Sequence, residues 1–426
     1  MPKRFFMETY GCQMNKADSA SIRGLLIERG FTDAEDITKA DVVIINTCVV
    51  REHAENRVYA RLGYFRHIKE RINPALKVVL TGCLTRFNRA KLEEEYEIDL
   101  IADVYSQAEL ADCIANDSYA TQSLYRTTNY KFKPSELDPD NPIRAYVSIT
   151  HGCDNWCSYC IVPAVRGTMI SRPADDIIDE VKRLCDLGVK EITLLGQNVN
   201  SYGTDIGGMK FVDLLERIDK TTSGQWIRFM TSHPKDFSKT LADAVIDLQS
   251  LCGHVHLPLQ SGSNRILSLM GRSYSREDYL EKIGYLRSRK PDFPLSTDII
   301  VGFADETDAE YEETASMLRT IRFEDAYLYH YSERKGSRAA EKGLPCDEAT
   351  GRERLAKIIA LQRSLSADSL SQCIGTTMSV LIESKARDGG MIGRSRENRM
   401  VVVPEGKIGD IVTVTAKEIK GHTLIA

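Results

Sequence analysis

Three times in residues 1–118 an apolar, strand-like run stops at a short turn, and each turn carries a cysteine. The runs are residues 4–9, 41–46 and 77–80, and the turns hold Gly11-Cys12, Thr47-Cys48 and Gly82-Cys83. Helical periodicity follows each of them, at 16–29, 52–72 and 88–95. Such alternation predicts an open α/β sheet. If its strands are parallel, their carboxyl ends share the edge at which open α/β sheets bind ligands, and three thiols remote in sequence converge there. The competing reading is three unrelated turn cysteines.

The chain has eleven cysteines in all. Its start, Met1-Pro2-Lys3-Arg4, leads into a strand rather than a signal-peptide core, and no apolar run reaches the ~18 residues of a membrane span. A cytoplasmic protein with no membrane segment is expected, and in a reducing compartment thiols serve metal ligation or catalysis more often than disulfides. Cys113 and Cys185 lie on apolar helical stripes, and Cys252, Cys346 and Cys373 lack ligand-like spacing, so these five read as core residues. The formal charge of −5 excludes a uniformly basic nucleic-acid binder; RNA contact needs a local basic surface.

A chain of 426 residues, 42% hydrophobic and 27% charged, accommodates two or three domains. We read an α/β multidomain protein: the open α/β domain over 1–119, then a Thr-, Asn-, Asp- and Pro-rich linker over 120–142. A second β/α series fills 143–372, with strands at 145–150, 191–195, 226–231, 254–259, 296–301 and 326–331 and helices at 174–187, 211–220, 276–289 and 308–319. Six units are too few for a closed eight-fold barrel and suit a partial (β/α)6 barrel with strand-end loops lining a cavity. A helical connector, 352–371, leads into 373–426, where strand candidates at 378–383, 400–403 and 411–416 between Gly-rich turns predict a small antiparallel β-barrel.

Directly after the first strand of the second series stands a C-x3-C-x2-C triplet, Cys153, Cys157 and Cys160. Three thiolates on a four-iron cluster leave one iron open, and that iron can chelate the amino and carboxylate groups of S-adenosylmethionine and pass an electron into its sulfonium. Zinc is the rival ligand, but structural zinc takes four ligands, usually as two pairs, and no fourth partner stands at zinc spacing nearby.

The triplet, followed by Ile161-Val162-Pro163, resembles the radical-SAM signature, and the chain resembles the methylthiotransferases over essentially its full length. The runs Thr9-Tyr10-Gly11-Cys12-Gln13-Met14-Asn15, Asn46-Thr47-Cys48-Val49-Val50-Arg51-Glu52 and Thr81-Gly82-Cys83 match that family's auxiliary-cluster segments. Residues 194–203, 231–234, 257–263 and 296–303 fit as well. Within the family, Gln13-Met14-Asn15 points to the MiaB-type branch, which installs a methylthio group at C2 of N6-isopentenyladenosine beside the tRNA anticodon. The alternatives are a methylthiotransferase acting on threonylcarbamoyladenosine or a protein side chain, and a non-catalytic RNA-binding iron–sulfur sensor.

The resemblance implies two [4Fe-4S] clusters, on Cys12, Cys48 and Cys83 and on Cys153, Cys157 and Cys160, with S-adenosylmethionine as methyl and radical source. An aromatic C2–H has no acidic proton to remove, so acid/base catalysis is poorly suited to it, whereas a radical enzyme with a sulfur donor can functionalise it. It also implies that Tyr159 flanks the adenine, that Gln197 and Asn198, read as ending the second barrel strand, meet the cofactor's amino group, and that Asp298, read as ending the fifth, meets a ribose hydroxyl or a basic neighbour. His233 and His256 read first as structural histidines. The chain departs from the family near Ala164 and Thr168-Met169, where an aromatic and acidic residues are expected, while Arg166-Gly167 and Ser171-Arg172 are retained.

The tail resembles a TRAM domain, a small RNA-binding barrel, through Ile392-Gly393-Arg394-Ser395-Arg396-Glu397-Asn398-Arg399. It carries eight Lys and Arg against six Asp and Glu, and Arg394, Arg396 and Arg399 are expected on one loop where they could grip phosphates. The partners implied are tRNA containing N6-isopentenyladenosine, an electron donor such as flavodoxin or ferredoxin, and a cluster and sulfur supply system, acting on a monomer.

Overall fold

The computed structural model of the chain describes residues 2–49, 52–119, 124, 130–134, 136–137, 141–343, 347–387 and 389–426. Cys346, most of the expected linker, and Val50 and Arg51 of the second cysteine motif lie outside the described residues. The chain forms two compact units: Met1–Asp140 with Tyr146–Asp154 and Ile161–Arg172, and Asn141–Ala145 with Asn155–Cys160 and Pro173–Ala426.

The first unit is built on five strands: β1 Arg4–Tyr10, β2 Thr32–Asp33, β3 Val42–Thr47, β4 Lys77–Gly82 and β5 Leu100–Ala102. Their order is β2-β1-β3-β4-β5 and every pairing is parallel. The helices are α1 Gln13–Glu28, α2 Glu52–Arg71, α3 Leu84–Phe87, α4 Arg89–Glu95 and α5 Gln107–Ala115. Edge strands β2 and β5 escape the sequence pattern because two or three residues carry no periodicity. Central β3 is buried along its whole length. Val43 and Ile45 join Val78, Leu80 and Phe65 in one core, while Val42 and Ile44 join Phe5, Ile22 and Leu26 in another. Apolar cover on both faces explains why this strand reads as an unbroken apolar run.

In the second unit Glu191–Leu195 pairs in parallel with Trp226–Phe229, and Val255–His256, Leu295–Val301 and Asp325–His330 form another parallel sheet. With Arg144–Ser148, whose residues are shared between the units, these are the six strands of the partial barrel. Helix Glu348–Ser371 packs on the last strand: a Cβ placed on Gly351 would lie 3.4 Å from His330 Cβ, and Gln362 Nε2 donates to the Phe323 carbonyl at 2.8 Å.

The tail is a six-stranded sheet ordered Ile411–Thr415, Thr377–Lys385, Met391–Ser395, Met400–Val403, Thr423–Ile425, Glu418–Lys420. It corrects the expectation of a purely antiparallel barrel. The last hairpin turns at Gly421 and sends Thr423–Ile425 alongside Met400–Val403 in the same direction, pairing Val401 with Leu424 in parallel. Among the described residues no helix is long and apolar enough to cross a membrane.

Candidate functional site

Parallel register decides where the amino-terminal thiols go. Tyr10, Thr47 and Gly82 stand in one row across β1, β3 and β4. Cys48 and Cys83 follow that row by one residue, and Cys12 by two, as the N-cap of α1. The three cysteines therefore emerge at neighbouring strand ends on one sheet edge, as parallel strands require.

A buried amide lattice locks those ends together. Asn15 Oδ1 accepts from the Cys12 amide at 3.2 Å and lies 3.4 Å from Cys12 Sγ, while its Nδ2 donates to Asn46 Oδ1 at 3.1 Å and the Thr47 carbonyl at 3.0 Å. Asn46 Nδ2 returns bonds to the Asn15 carbonyl at 2.9 Å and Ser19 Oγ at 3.0 Å. The Cys83 amide donates to the Thr47 carbonyl at 2.9 Å. Both asparagines are fully buried, so each bond replaces one that water can no longer make.

The glycines before two of the cysteines are steric necessities. Gly82 has φ +103, and a Cβ there would meet the Thr47 carbonyl oxygen at 2.3 Å. A Cβ on Gly11 would meet Asn15 Oδ1 at 2.3 Å and Cys48 Cβ at 2.7 Å.

The charge of this site is set by Arg166. Its guanidinium is 3% exposed; Nε lies 3.2 Å from Cys83 Sγ, and Nη2 donates to Asp18 Oδ2 at 2.7 Å. The Cys12 thiol is lowered to about 6, chiefly by its hydrogen bond with Cys48, with Arg166 and the Asn15 and Met14 amides adding to it against burial. Burial raises the Cys83 thiol in spite of Arg166. Among the described residues no three His, Cys, Asp or Glu side chains form a single-ion site. Three clustered thiols beside a buried cation are a donor set suited to an anionic iron–sulfur cluster.

Of the triplet, Cys153 belongs to the first unit and Cys157 and Cys160 to the second. In the first unit the Cys153 amide donates to the Gly167 carbonyl at 3.1 Å, and Asp154 Oδ1 accepts from the Met169 amide at 3.1 Å. In the second, the Cys160 amide donates to the Cys157 carbonyl at 3.0 Å, and Trp156 takes φ +50, which turns the loop. Arg272 serves here as Arg166 does in the other site: Nη1 lies 3.3 Å from Cys157 Sγ and 3.5 Å from the Tyr159 hydroxyl, Nε donates to the Tyr274 hydroxyl at 3.0 Å, and Nη2 to the Pro258 carbonyl at 3.2 Å. Tyr159 packs edge-on to Phe303, with ring centroids 6.2 Å apart.

The remaining expected residues divide. Asn198 is buried just beyond strand Glu191–Leu195 and donates to Asp236 Oδ2 at 2.6 Å; Gln197 beside it is partly exposed. Asp298 does not end its strand. It stands in the middle of Leu295–Val301, a strand that ends at Val301 as the apolar pattern 296–301 already has it, and its partner is His256 Nε2 at 3.3 Å. His256 Nδ1 in turn meets Ser296 Oγ at 2.9 Å. His233 accepts from the Lys235 amide at 3.3 Å through Nδ1, and burial drops its pKa to about 2, so it is a neutral structural cap.

The tail arginines are not a free phosphate grip. Arg394 lies within strand Met391–Ser395, not on a loop, and Nε donates to Glu383 at 2.9 Å. Arg396 Nη2 donates to the carbonyls of Gln249 and, at 2.8 Å, Leu251. Arg399 pairs with Glu324. Between them lies a buried charge ladder: Glu191 accepts from Arg144 Nε at 2.8 Å and Arg228 Nε at 2.6 Å, and Arg228 also donates to the carbonyls of Ser395 at 2.7 Å and Arg396 at 3.0 Å. These arginines dock the tail sheet onto the barrel strands of the same unit.

Arg166, Asp18, Asn46 and Arg272 were given no role by sequence reasoning. Asn46 and Arg166 stood inside matched motifs, which was a signal; Arg272, in a polar turn, gave none.

Comparison with known proteins agrees with this layout. Residues 4–103 match the uncharacterized protein family UPF0004, residues 147–318 the radical SAM superfamily and residues 371–426 the TRAM domain. The tRNA-2-methylthio-N(6)-dimethylallyladenosine synthase of Chloroherpeton thalassium is 41% identical, covering 99% of this chain and 95% of that protein. Proteins of the same name from Thermoanaerobacter pseudethanolicus and Treponema pallidum are each 40% identical over 99% of this chain, and cover 91% and 98% of their own lengths. Among solved structures, the radical S-adenosylmethionine methyltransferase TsrM of Kitasatospora setae superposes with TM-score 0.57 at 14% identity, over 76% of this chain and 72% of that one. At that identity the likeness speaks for the fold. With full-length identity of this order to several such synthases, the chain belongs to the tRNA-2-methylthio-N(6)-dimethylallyladenosine synthase family of radical-SAM enzymes.

Proposed function

We infer that the protein is a radical-SAM methylthiotransferase that adds a methylthio group to C2 of N6-isopentenyladenosine next to the anticodon of tRNA. Its cofactors are S-adenosylmethionine and two [4Fe-4S] clusters. When bound, they supply a 5′-deoxyadenosyl radical to remove the unactivated hydrogen and a sulfur to replace it. Cys153, Cys157 and Cys160 hold the radical-generating cluster, and Cys12, Cys48 and Cys83 the sulfur-donating one. The observation that carries the second assignment is the single register row that brings the amino-terminal thiols to one sheet edge, beside a buried guanidinium.

The chain's own residues do the holding. The asparagine lattice fixes the strand ends, Arg166 and Arg272 supply counter-charge to the thiolates, and Tyr159 contributes an aromatic ring inside the triplet. We assign residues 1–119 to sulfur donation, 143–372 to radical generation and 373–426 to RNA contact, working as a cytoplasmic monomer with a reduced flavodoxin or ferredoxin as electron donor.

Anaerobic reconstitution with iron counting tests the two-site reading. About eight irons are expected in the wild type, falling to about four in Cys12→Ala/Cys48→Ala/Cys83→Ala. Retention of all the iron removes the second site. Nucleoside analysis of tRNA from cells lacking the protein tests the substrate: the methylthio derivative of N6-isopentenyladenosine should vanish, and its persistence defeats the assignment.

A further inference from the structure

The segment that follows the triplet, Ile161–Arg172, belongs to the first unit and delivers Arg166 into the amino-terminal thiol site. Three features set this arginine apart from a structural ion pair. Its Nε is directed at a thiol, Cys83 Sγ, 3.2 Å away. Its partner Asp18 is itself held, accepting from Gln107 Nε2 at 3.1 Å and from the Tyr130 hydroxyl at 3.4 Å, so the guanidinium is pinned from behind. And its Nη1 is buried with no hydrogen-bond acceptor among the described residues, an arrangement costly enough that a ligand atom is the natural acceptor.

The same segment reaches the other cysteine set. The carbonyl of Gly167, the next residue, accepts the Cys153 amide at 3.1 Å, and the Arg166 carbonyl accepts the Tyr105 hydroxyl at 2.5 Å. Cys83 Sγ, Arg166, Gly167 and the Cys153 amide thus form an unbroken path from a thiol of one set to the first thiol of the other, all within one compact unit.

We propose that Arg166 is a positioning residue that sets the reduction potential of the auxiliary cluster on Cys12, Cys48 and Cys83, with Asp18 as the counter-charge that trims its effect. This rests on the two-cluster reading given above. Reduction adds negative charge to a cluster, so a nearby cation and a donor to its sulfur favour the reduced form and a nearby carboxylate opposes it. The residues at positions 166 and 18 therefore act with opposite sign.

The test is a potentiometric titration, followed by electron paramagnetic resonance, of the reconstituted full-length chain at matched iron content. Arg166→Gln should move the auxiliary-cluster potential to more negative values, Arg166→Lys should restore most of it, and Asp18→Asn should move it to more positive values. The triplet-cluster potential should move less in every case. A merely structural ion pair predicts shifts of one sign, or none, for Arg166→Gln and Asp18→Asn, and either result overturns the proposal. If Arg166→Gln cannot hold iron, Asp18→Asn and Arg166→Lys still give the sign. Full iron with an unmoved potential defeats this inference alone, whereas iron that survives removal of Cys12, Cys48 and Cys83 defeats the two-cluster reading beneath it.

Discussion

Removing Glu191 should loosen the tail sheet from the barrel more than any surface charge change. This carboxylate is 1% exposed, and Arg144 and Arg228 both donate to it. In Glu191→Ala, Arg144 keeps Glu383 at 3.3 Å, but Arg228, 9% exposed, loses its carboxylate and keeps the carbonyls of Ser395 and Arg396 and the face of Trp226. A buried charge stripped of its partner costs about 3–5 kcal/mol. Hydrogen exchange in strands Thr377–Lys385 and Met391–Ser395 reads that loss as local opening, roughly two to three and a half orders of magnitude faster. Because the damage is the orphaned cation, Glu191→Ala/Arg228→Met should recover part of it. An acceleration below about tenfold, or a double variant worse than the sum of its singles, refutes the reasoning. The pH dependence has a definite sign. Burial alone would raise the Glu191 pKa, but Arg228 and Arg144 outweigh it and hold it below the ordinary value. Its stabilisation is thus complete above the unfolded-state pKa of about 4.3 and is lost as pH falls through the lower folded value, so Glu191→Gln should show a shallower acid limb.

Other expectations follow from the same geometry. Gly82→Ala should lower cluster content at Cys83, read as iron per chain, because its Cβ would sit 2.3 Å from the Thr47 carbonyl oxygen; wild-type iron content would contradict this. Asn46→Ala should cost about 2–4 kcal/mol in thermal or urea unfolding of the apo chain, since it strips buried partners from Asn15 and Ser19. Arg399→Ala should destabilise the tail sheet and leave the salt dependence of tRNA binding unchanged, because its guanidinium is occupied by Glu324; a slope reduced by about one would return it to phosphate contact. Tyr327 and Tyr329 lie on the face of Asp325–His330 opposite to His330, which faces Gly351, and are 42% and 37% exposed. As ring platforms for an unpaired base, their joint replacement by Ala should weaken binding of an anticodon stem-loop at least tenfold, with 5′-deoxyadenosine release retained.

The alternation of apolar runs and turns was enough to place most of the long strands and helices; it left parallel pairing as a condition, which the register of β1, β3 and β4 meets. The two cysteine sets were equally legible, since a thiol at a strand end, or three thiols on one loop, is a local pattern. What a single sequence could not display was where charge is neutralised. Arg394, Arg396 and Arg399 read as a basic loop, yet their partners Glu383, Gln249, Leu251 and Glu324 lie far away along the chain for all but the first. Asp298 read as a strand end although the pattern 296–301 already puts it mid-strand, and its partner His256, 42 residues earlier on a neighbouring strand, was visible only in the fold. Arg166 and Asp18 are 148 residues apart, and no periodicity links them. Local order is encoded in neighbouring residues and can be read from them; the electrostatic environment of the thiols depends on contacts between remote segments, so it was decided only when the chain folded.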